Sequence, residues 1–310
     1  MLSALFTDMK NSEQNSIKIN SVKELHSLVG LPSPLNTMIT IIDHSKTQNN
    51  NQNQKLILDL YNITIKRSFK GQLKYGKNNY DFDEGIMSFI APNQIITIDN
   101  QEEQNTDGWS LLFHPDLIRQ YPLTKTIKSY GYFSYDNNEA LHLSNEEENT
   151  IETIVKNIQN EINARIDNFS QDVIVSNLEL LLSYCNRFYS RQFLTRKMAT
   201  NDLLSNFENL LEHYFSENSN LTLPKVDKIS NELNVSSSYL SDMLRNLTGQ
   251  NTQQHIHNKL IEKAKEMLST SEMSISEIAY HLGFEYPQSF SKLFKAKTKL
   301  TPLEFRLSFN

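Results

Sequence analysis

Apolar residues recur at helical spacing throughout the last third of the chain. Between positions 226 and 247, two such runs are separated by a short break, which predicts a helix, a turn and a second helix. Ser236 is placed to cap the second helix, because its hydroxyl can accept a hydrogen bond from a first-turn amide. Gly249 is placed to end that helix, because glycine adopts the left-handed conformation easily. The pattern therefore predicts a helix-turn-helix unit.

A second unit of the same kind follows about 50 positions later. Ser274 and Glu277 have the spacing of a capping box, Gly283 can supply the turn, and Pro287 is placed as the first residue of a new helix. The two copies stay in register up to the turn, after which the second copy has one extra residue. The C-terminal region is therefore predicted to contain an inexact internal duplication.

One amphipathic helix is predicted to join the two units, from Thr252 to about Ser269. A helix of this length is about 26 Å long at about 1.5 Å per residue. The second helix of each unit, here called the reading helix, would enter the major groove of DNA. The two reading helices would then lie about one turn of DNA, ~34 Å, apart on one face of the duplex. The apolar side of the joining helix consists of Ile256, Leu260, Ile261, Ala264, Met267 and Leu268.

A dense set of signature residues lies in the second unit. The set comprises Ile278, Ala279, Leu282, Gly283, Phe284, Ser289, Phe290, Ser291, Phe294, Lys295, Thr301, Pro302, Phe305 and Arg306. These residues resemble the IA..(V/L)GF turn, the S.FS..FK helix, the TP pair and the aromatic-Arg end of the AraC/XylS family of transcriptional regulators. Lys259, where the family usually has arginine, and Leu244, where phenylalanine is common, depart from its pattern. The resemblance spans roughly the last 90 residues and implies a DNA-binding regulator.

The second helix of a helix-turn-helix unit enters the major groove, so its outward residues are the candidate DNA contacts. Arg245 and Lys292 suit guanine or a phosphate, and Gln288 suits adenine. Asp242 can accept a hydrogen bond from a cytosine amine but repels phosphate. The complete predicted set is Ser237, Ser238, Ser241, Asp242 and Arg245 in the first unit, and Gln288, Ser291, Lys292 and Lys295 in the second.

Charge is divided unevenly along the chain. The formal net charge is −6, but residues 221–310 carry 11 Lys/Arg against 9 Asp/Glu, so the excess of acid lies in residues 1–220. Lys292, Lys295, Lys297 and Lys299 cluster in and just after the second reading helix, where phosphates would lie. The alternative interpretation of this cluster is a solvated helix face. We expect Lys295 and Lys297 to position the domain, and the second unit to bind DNA more strongly than the first.

In residues 38–114 the apolar residues recur with a period of two, in short runs. This pattern predicts short antiparallel strands and a small barrel or sandwich. The polar tract 48–54 is predicted to be a loop. The family resemblance implies a cupin-like jelly roll for this region. The predicted fold class is α+β, with a cupin-like β-barrel and helices in residues 1–193, a linker at 194–205 and an all-α DNA-binding domain at 206–310.

Residues 144–193 predict a helical hairpin. Ile151, Val155, Ile158 and Ile162 are spaced 4, 3 and 4, which makes a seam of about two heptads that requires a partner. That partner is either the barrel of the same chain or the same helix of a second copy. The family resemblance favours a homodimer through the helices of residues 147–193.

No metal or cofactor is predicted. The β region contains no His-x-His pair, and His44 and His114 are far apart in sequence. His255 and His257 form the one such pair in the chain and are predicted to lie on the surface. The single cysteine, Cys185, excludes an intrachain disulfide and is predicted to be a buried, inert thiol.

The pattern predicts a cytoplasmic protein without a membrane partner, because it has no run of 18 apolar residues and no signal-peptide pattern. The predicted function is sequence-specific binding of double-stranded DNA to regulate transcription, with RNA polymerase as a partner if the protein is an activator. A small effector or partner is predicted to act at the N-terminal domain, where aromatic residues either line a pocket or fill the barrel. The alternative is an enzyme with a helix-turn-helix module, either a cupin-type oxygenase or a DNA-repair alkyl acceptor.

Overall fold

Most of the alternating runs between residues 38 and 114 are β-strands in the structure, a computed structural model. The chain divides into two compact units, Met1–Gln192 and Phe193–Asn310. The structure describes residues 16–47, 55–67, 74–75, 78–79, 85–97, 107–136, 139–165, 167–195, 197–215 and 223–308.

Three sheets occur in the described part of the first unit. They have five strands in the order β10-β7-β4-β9-β2, three in the order β1-β3-β8, and two, β5 and β6. The strands are β1 Ser16–Ile19, β2 Ile39–Asp43, β3 Lys55–Leu58, β4 Tyr61–Lys66, β5 Lys74–Tyr75, β6 Asn78–Asn79, β7 Ile86–Ile90, β8 Ile95–Thr97, β9 Gly108–Phe113 and β10 Leu141–His142.

Strand β4 is the centre of the five-stranded antiparallel sheet. Its Ile63 lies opposite Phe89 on one side and Leu111 on the other. Ile63 is fully buried, as is Ile65 two positions later, whereas Thr64 between them points to the opposite face. The alternation predicted from the sequence therefore produces one strongly apolar face.

The three-stranded sheet contains a strand that the sequence pattern does not predict. Strand β1 pairs in parallel with β3, and helix α1, Val22–Leu28, follows it with Ser21 as its N-cap. The four residues of β1 are too few to show a period. A shared core covers both sheets and consists of Ile19, Val22, Leu25, Ile42, Leu56, Leu58, Leu60 and Leu112.

The strands do not close into a barrel among the residues that the structure describes. The five-stranded sheet ends at β10, which is only two residues long, and at β2. The cupin-like jelly roll implied by the resemblance is therefore not confirmed. The predicted loop at 48–54 lies outside the described residues.

Two long helices follow, α3 Asn145–Asn163 and α4 Ser170–Thr195, in agreement with the predicted hairpin. Helix α3 contacts β2, and all four residues of its predicted seam are buried within this chain. The seam therefore already has its partner, and it does not require a second copy. Between β9 and these helices the chain forms 3-10 turns and the short helix α2, Leu123–Thr126.

Aromatic residues of the first unit fill its core. The ring of Phe89 lies 4.6 Å from that of Tyr132, which in turn stacks on Tyr189 at 5.4 Å. Trp109 is buried, and its Nε1 donates a hydrogen bond to Glu152 at 2.7 Å. For these residues the core-filling interpretation is the one that fits.

The first helix of the second unit begins at Lys197 and not near residue 206, so most of the predicted linker 194–205 is helical. This segment contains no glycine or proline, and its Lys, Met, Ala and Leu residues favour a helix. This composition therefore allows the helix to begin before the domain boundary predicted at residue 206.

Seven helices form the described part of the second unit. The residues predicted for the apolar side of the joining helix are all buried. None of the helices in the described ranges of the chain is long and apolar enough to cross a membrane. The seven are α5 Lys197–Tyr214, α6 Val226–Glu232, α7 Ser237–Thr248, α8 Thr252–Thr270, α9 Ile275–His281, α10 Pro287–Thr298 and α11 Pro302–Leu307.

Candidate nucleic-acid interface

The two predicted helix-turn-helix units are present and are built alike. Helices α6 and α9 each have 7 residues, and the reading helices α7 and α10 each have 12. Each turn contains a left-handed residue at the matching place, Asn234 with φ 55° and Gly283 with φ 84°. Asparagine is among the few residues that tolerate this conformation. The second turn is one residue longer, as predicted.

Local hydrogen bonds fix where the helices of both units begin. Ser236 accepts a hydrogen bond from the Tyr239 amide at 3.1 Å and caps α7. Ser274 and Glu277 form the predicted capping box, with bonds of 2.7 and 3.2 Å. Pro287 is the first residue of α10. These predictions are confirmed.

The two reading helices end in the same conformation with different residues. Gly249 ends α7 with φ 77°, as predicted, and Lys299 ends α10 with φ 69°. A left-handed lysine is disfavoured, because its Cβ approaches the backbone closely. The Lys299 ammonium donates a hydrogen bond to the carbonyl of Ala296 at 3.3 Å.

A packed apolar face sets the orientation of each reading helix. Phe290 and Phe294 of α10 are fully buried, and their rings lie 5.8 Å apart. The Phe290 ring also lies 5.5 Å from Phe284 in the turn. In α7 the predicted inward residues are all buried, namely Tyr239, Leu240, Met243 and Leu244.

The predicted contacts of the second unit lie on the open face of α10. Gln288, Lys292 and Lys295 are exposed, and Ser291 is half-buried. The side chains of Gln288 and Lys292 make no hydrogen bond or ion pair with any described residue. This face therefore carries donors and positive charge that are available to a ligand.

The predicted contacts of the first unit are less accessible. Ser237 donates to Asp227 on α6 at 2.8 Å. Ser241 forms a hydrogen bond of 2.9 Å with Thr252, which is fully buried at the start of α8. These two serines were expected to face outward, but polar neighbours on adjacent helices hold them half-buried. Ser238 is also half-buried and makes no hydrogen bond with a described residue.

The charged residues of α7 pair with each other. Arg245 Nη1 donates to Asp242 Oδ1 at 2.5 Å, and the Arg245 side chain is 53% exposed. The carboxylate neutralises part of the positive charge on this helix. The first reading helix therefore offers DNA less positive charge than the second.

Two lysines near the interface have intramolecular partners. Lys297 Nζ donates to Asn258 Oδ1 at 3.0 Å, although its predicted role is to position the domain on phosphate. Lys259, the departure from the family arginine, forms an ion pair with Glu212 of α5. This ion pair links the joining helix to α5.

Exposed tyrosines near the start of α10 are additional candidates that the periodicity does not identify. Tyr286, the N-cap residue, is 63% exposed and Tyr280 is 58% exposed. The position of Pro287 at the first helical residue is a sequence signal for Tyr286, because it places the preceding side chain at the helix tip.

The histidine pair of the joining helix is half-buried, so each imidazole reaches the surface with only part of its area. Thr248 lies 2.8 Å from His255 Nε2, and the Gln253 amide donates to His257 Nε2 at 2.8 Å. Burial lowers the pKa of both imidazoles, and the charge of Lys297 lowers that of His257 further. The two residues have different hydrogen-bond partners and are each partly covered.

Cys185 and the possible metal ligands bear on the alternative that the chain is an enzyme. Cys185 is fully buried, and burial raises the pKa of its thiol. Within the described ranges, no three His, Cys, Asp or Glu residues are grouped so that they could hold a metal ion. Cys185 therefore lacks the activated thiolate that alkyl transfer requires.

Comparison with known proteins places the same segment in a recognised family. Residues 229–308 match the family model described as a helix-turn-helix domain. The xylose operon regulatory protein of Haemophilus influenzae is 34% identical over 84 residues, which cover 27% of this chain and 22% of that protein. The HTH-type transcriptional activator RhaS of Escherichia coli O157:H7 is 30% identical over 96 residues, or 31% of this chain and 33% of RhaS.

The matched segment therefore spans a third or less of these relatives. A solved structure of an AraC-type transcriptional regulator from Chromobacterium violaceum is 21% identical, covers 36% of this chain and 96% of its own, and has a TM-score of 0.32. With the sequence signature and the two matching units, the C-terminal region of this chain is a helix-turn-helix domain of the AraC/XylS type.

Proposed function

We propose that this protein binds double-stranded DNA in a sequence-specific manner and regulates transcription. The observation that carries the proposal is the open face of α10, where Gln288, Lys292 and Lys295 extend from a helix whose opposite face is buried. Two matched units joined by one helix suit a ligand with a repeating groove. The names of the related regulators support the same assignment.

Each side chain of α10 has a distinct proposed role. Gln288 lies in the first turn, so it reaches base edges and pairs with adenine N6 and N7. Lys292, one turn later, donates to guanine or to a phosphate. Lys295 lies farther along the helix and holds a phosphate, which fixes the register of the domain.

The first helix-turn-helix unit binds DNA more weakly than the second in this proposal. Arg245 must leave Asp242 before it can bind a phosphate, and Asp242 repels the DNA backbone. Ser237 and Ser241 must likewise exchange their internal hydrogen bonds. Affinity should therefore depend more on α10 than on α7.

Selection of duplexes from a random library, followed by a salt titration, tests the proposal. The full chain should recover a defined sequence, and its affinity should fall steeply as salt rises. Lys292→Ala should weaken binding more than Arg245→Ala. Lys156→Ala is a matched control, because Lys156 is an exposed lysine on α3, outside both helix-turn-helix units.

Recovery of no preferred sequence would reject the proposal. Unchanged affinity in both Lys292→Ala and Arg245→Ala would reject the assignment of the reading helices. If Arg245→Ala weakens binding more than Lys292→Ala, the first unit is the stronger reader.

The competing enzyme proposal makes different predictions. Alkyl transfer would consume the Cys185 thiol, which the fold keeps away from solvent and un-ionised. A cupin-type oxygenase would retain a metal ion, so metal analysis of the purified chain distinguishes it from a regulator. The regulator proposal is the better supported one.

We further propose that the protein forms a homodimer through α4. With the seam of α3 already covered, α4 still presents exposed Val173 and Leu180, extended by exposed Phe169 immediately before its first residue and by half-buried Tyr184. The steps of 4, 7 and 4 residues keep these side chains on one side of the helix. A dimer would bring two DNA-binding regions to one repeated site.

We propose that a small effector or partner controls DNA binding by acting on the N-terminal unit, Met1–Gln192. Contact with RNA polymerase is proposed if the protein is an activator. No effector residue is assigned. Genomic footprinting with and without candidate metabolites tests this part, since an effector must change occupancy of the bound sites.

A further inference from the structure

A continuous chain of three side chains connects the ends of the two reading helices. Asn258 Nδ2, on the joining helix α8, donates to Gln250 Oε1 at 2.7 Å. Asn258 Oδ1 accepts from Lys297 Nζ at 3.0 Å. Gln250 lies in the short connection after α7, and Lys297 lies in the last turn of α10. The chain therefore reaches from one helix-turn-helix unit to the other.

The chemistry of asparagine suits this place. Its amide offers a donor and an acceptor on one short side chain, so both bonds can form at once. The bond from the ammonium is charge-assisted and is therefore stronger than a bond between neutral groups. Asn258 is half-buried and Lys297 is exposed, so water competes less for the bond to Gln250 than for the bond from the ammonium.

Neighbouring side chains reinforce the same end of α8. Thr248, at the end of α7, bonds His255, and Gln253 bonds His257 within α8. The influence of Lys297 on the pKa of His257 is consistent with an ammonium held close to this helix. The first turns of α8 therefore hold the ends of both reading helices.

We propose that Asn258 is a positioning residue that sets the separation and angle of the two reading helices. The hydrogen-bonded side chains of Gln250, Asn258 and Lys297 are here called the brace. The inference rests on the proposed function, and it assigns Lys297 to the brace and not to a DNA phosphate. Two linked binding modules gain affinity only when their geometry matches the two sites. A brace that fixes this geometry before binding reduces the ordering that DNA would otherwise impose.

The first test measures the brace without DNA. Asn231 on α6 and Ala296 on α10 are exposed, so Asn231→Cys and Ala296→Cys provide one spin-label site in each unit of the full chain. Buried Cys185 should not react with the label. Pulsed electron spin resonance should give a narrow distance distribution, which Asn258→Leu should broaden.

Asn258→Asp is the matched variant. Its carboxylate accepts from Lys297 and also from the Gln250 amide after that amide rotates, so the narrow distribution should return. An equally narrow distribution in Asn258→Leu, with the helical circular dichroism unchanged, would overturn the proposal.

The second test uses the duplex recovered by selection and the same duplex with one base pair inserted between its two half-sites. Asn258→Leu should bind the recovered duplex about 5-fold to 30-fold more weakly, because the DNA must then impose the ordering that these bonds supply in the unbound chain. It should also discriminate less between the two spacings. Unchanged affinity and spacing preference would overturn the brace.

Lys297→Met separates the brace from a phosphate contact. Loss of a phosphate contact lowers the salt slope by about one, whereas loss of the brace leaves the slope unchanged. A lowered slope would overturn the assignment of Lys297. If the unaltered chain recovers no sequence, the proposed function fails, and the label distances still decide whether the brace exists.

Discussion

Asp242 and Arg245 lie one helical turn apart on α7, and their ion pair controls the charge of the first reading helix. Both groups are partly exposed, so their mutual attraction is modest and can be exchanged for DNA. The carboxylate affects DNA in two ways: it repels phosphate, and it occupies the guanidinium.

Asp242→Asn should strengthen binding to random duplex and raise the salt slope by about one, because Arg245 becomes available to a phosphate. A filter-binding or anisotropy titration over several salt concentrations measures both quantities. Glu179→Gln on α4 removes an acidic charge outside both helix-turn-helix units and serves as the control. Weaker binding by Asp242→Asn would indicate that the carboxylate itself contacts a base.

Histidine titration gives a second prediction at this scale. Burial lowers the pKa of His44, His255 and His257 below the ordinary value of 6.5. The unfolded chain therefore binds protons at a higher pH than the folded chain, and stability should fall as the pH drops below 6.5. Proton NMR titration of the imidazoles, assigned with single His→Gln variants, should give pKa values below 6.5. Values above 6.5 would contradict the burial of these rings.

At the scale of elements, the buried phenylalanines of α10 hold its reading face outward. Phe290 has no exposed surface and lies against Phe284 and Phe294. Its removal leaves a cavity that the surrounding rings fill only in part.

Phe290→Ala should lower the free energy of unfolding by about 3–5 kcal/mol and abolish sequence-specific binding. Urea denaturation followed by far-ultraviolet circular dichroism measures the first effect. Leu35→Ala is the control, because Leu35 is 70% exposed and its loss should change stability by less than about 0.5 kcal/mol. Similar losses in the two variants would contradict the packing described for α10.

Helix caps are the elements most fully predictable from this sequence. The cap of α7 and the capping box of α9 depend on residues three positions apart, so a short window contains the whole interaction. Strand β1 could not be predicted in this way, because it is stabilised by pairing with β3, far along the chain. The start of α5 was misplaced since apolar spacing marks the packed part of a helix and not its full length.

The candidate site shows the same limit. Helical periodicity identifies the exposed side of α10, where the side chains of Gln288 and Lys292 have no hydrogen-bond or ion-pair partner among the described residues. For α7 it does not reveal that Ser241 meets Thr252, because that partner belongs to the next helix. The hydrogen bonds of Asn258 could not be predicted from the sequence either, because residue types alone do not show that Lys297 lies beside α8.

At the scale of the whole molecule, α4 offers the surface proposed for a second copy. Leu180 is 47% exposed in the middle of the stripe, so a lysine there can reach solvent in the single chain. In a dimer the same lysine would meet its symmetry mate across the axis.

Leu180→Lys should therefore shift the protein from dimer to monomer and leave its unfolding midpoint nearly unchanged. Analytical ultracentrifugation measures the oligomeric state. Asn186→Lys, an exposed change on another side of the same helix, should leave the dimer intact. A monomeric unaltered chain, or a dimeric Leu180→Lys variant, would contradict the proposed surface.

The left-handed end of α10 has an evolutionary consequence. Lys299 occupies a conformation that Gly249 adopts freely at the matching place in the first unit. Lys299→Gly should raise stability by about 1 kcal/mol, because it relieves a backbone conformation that disfavours side chains. It should also lower DNA affinity, because a cation beside the reading helix is lost. Denaturation and anisotropy measurements that find both changes would identify Lys299 as a position where selection has favoured charge over stability.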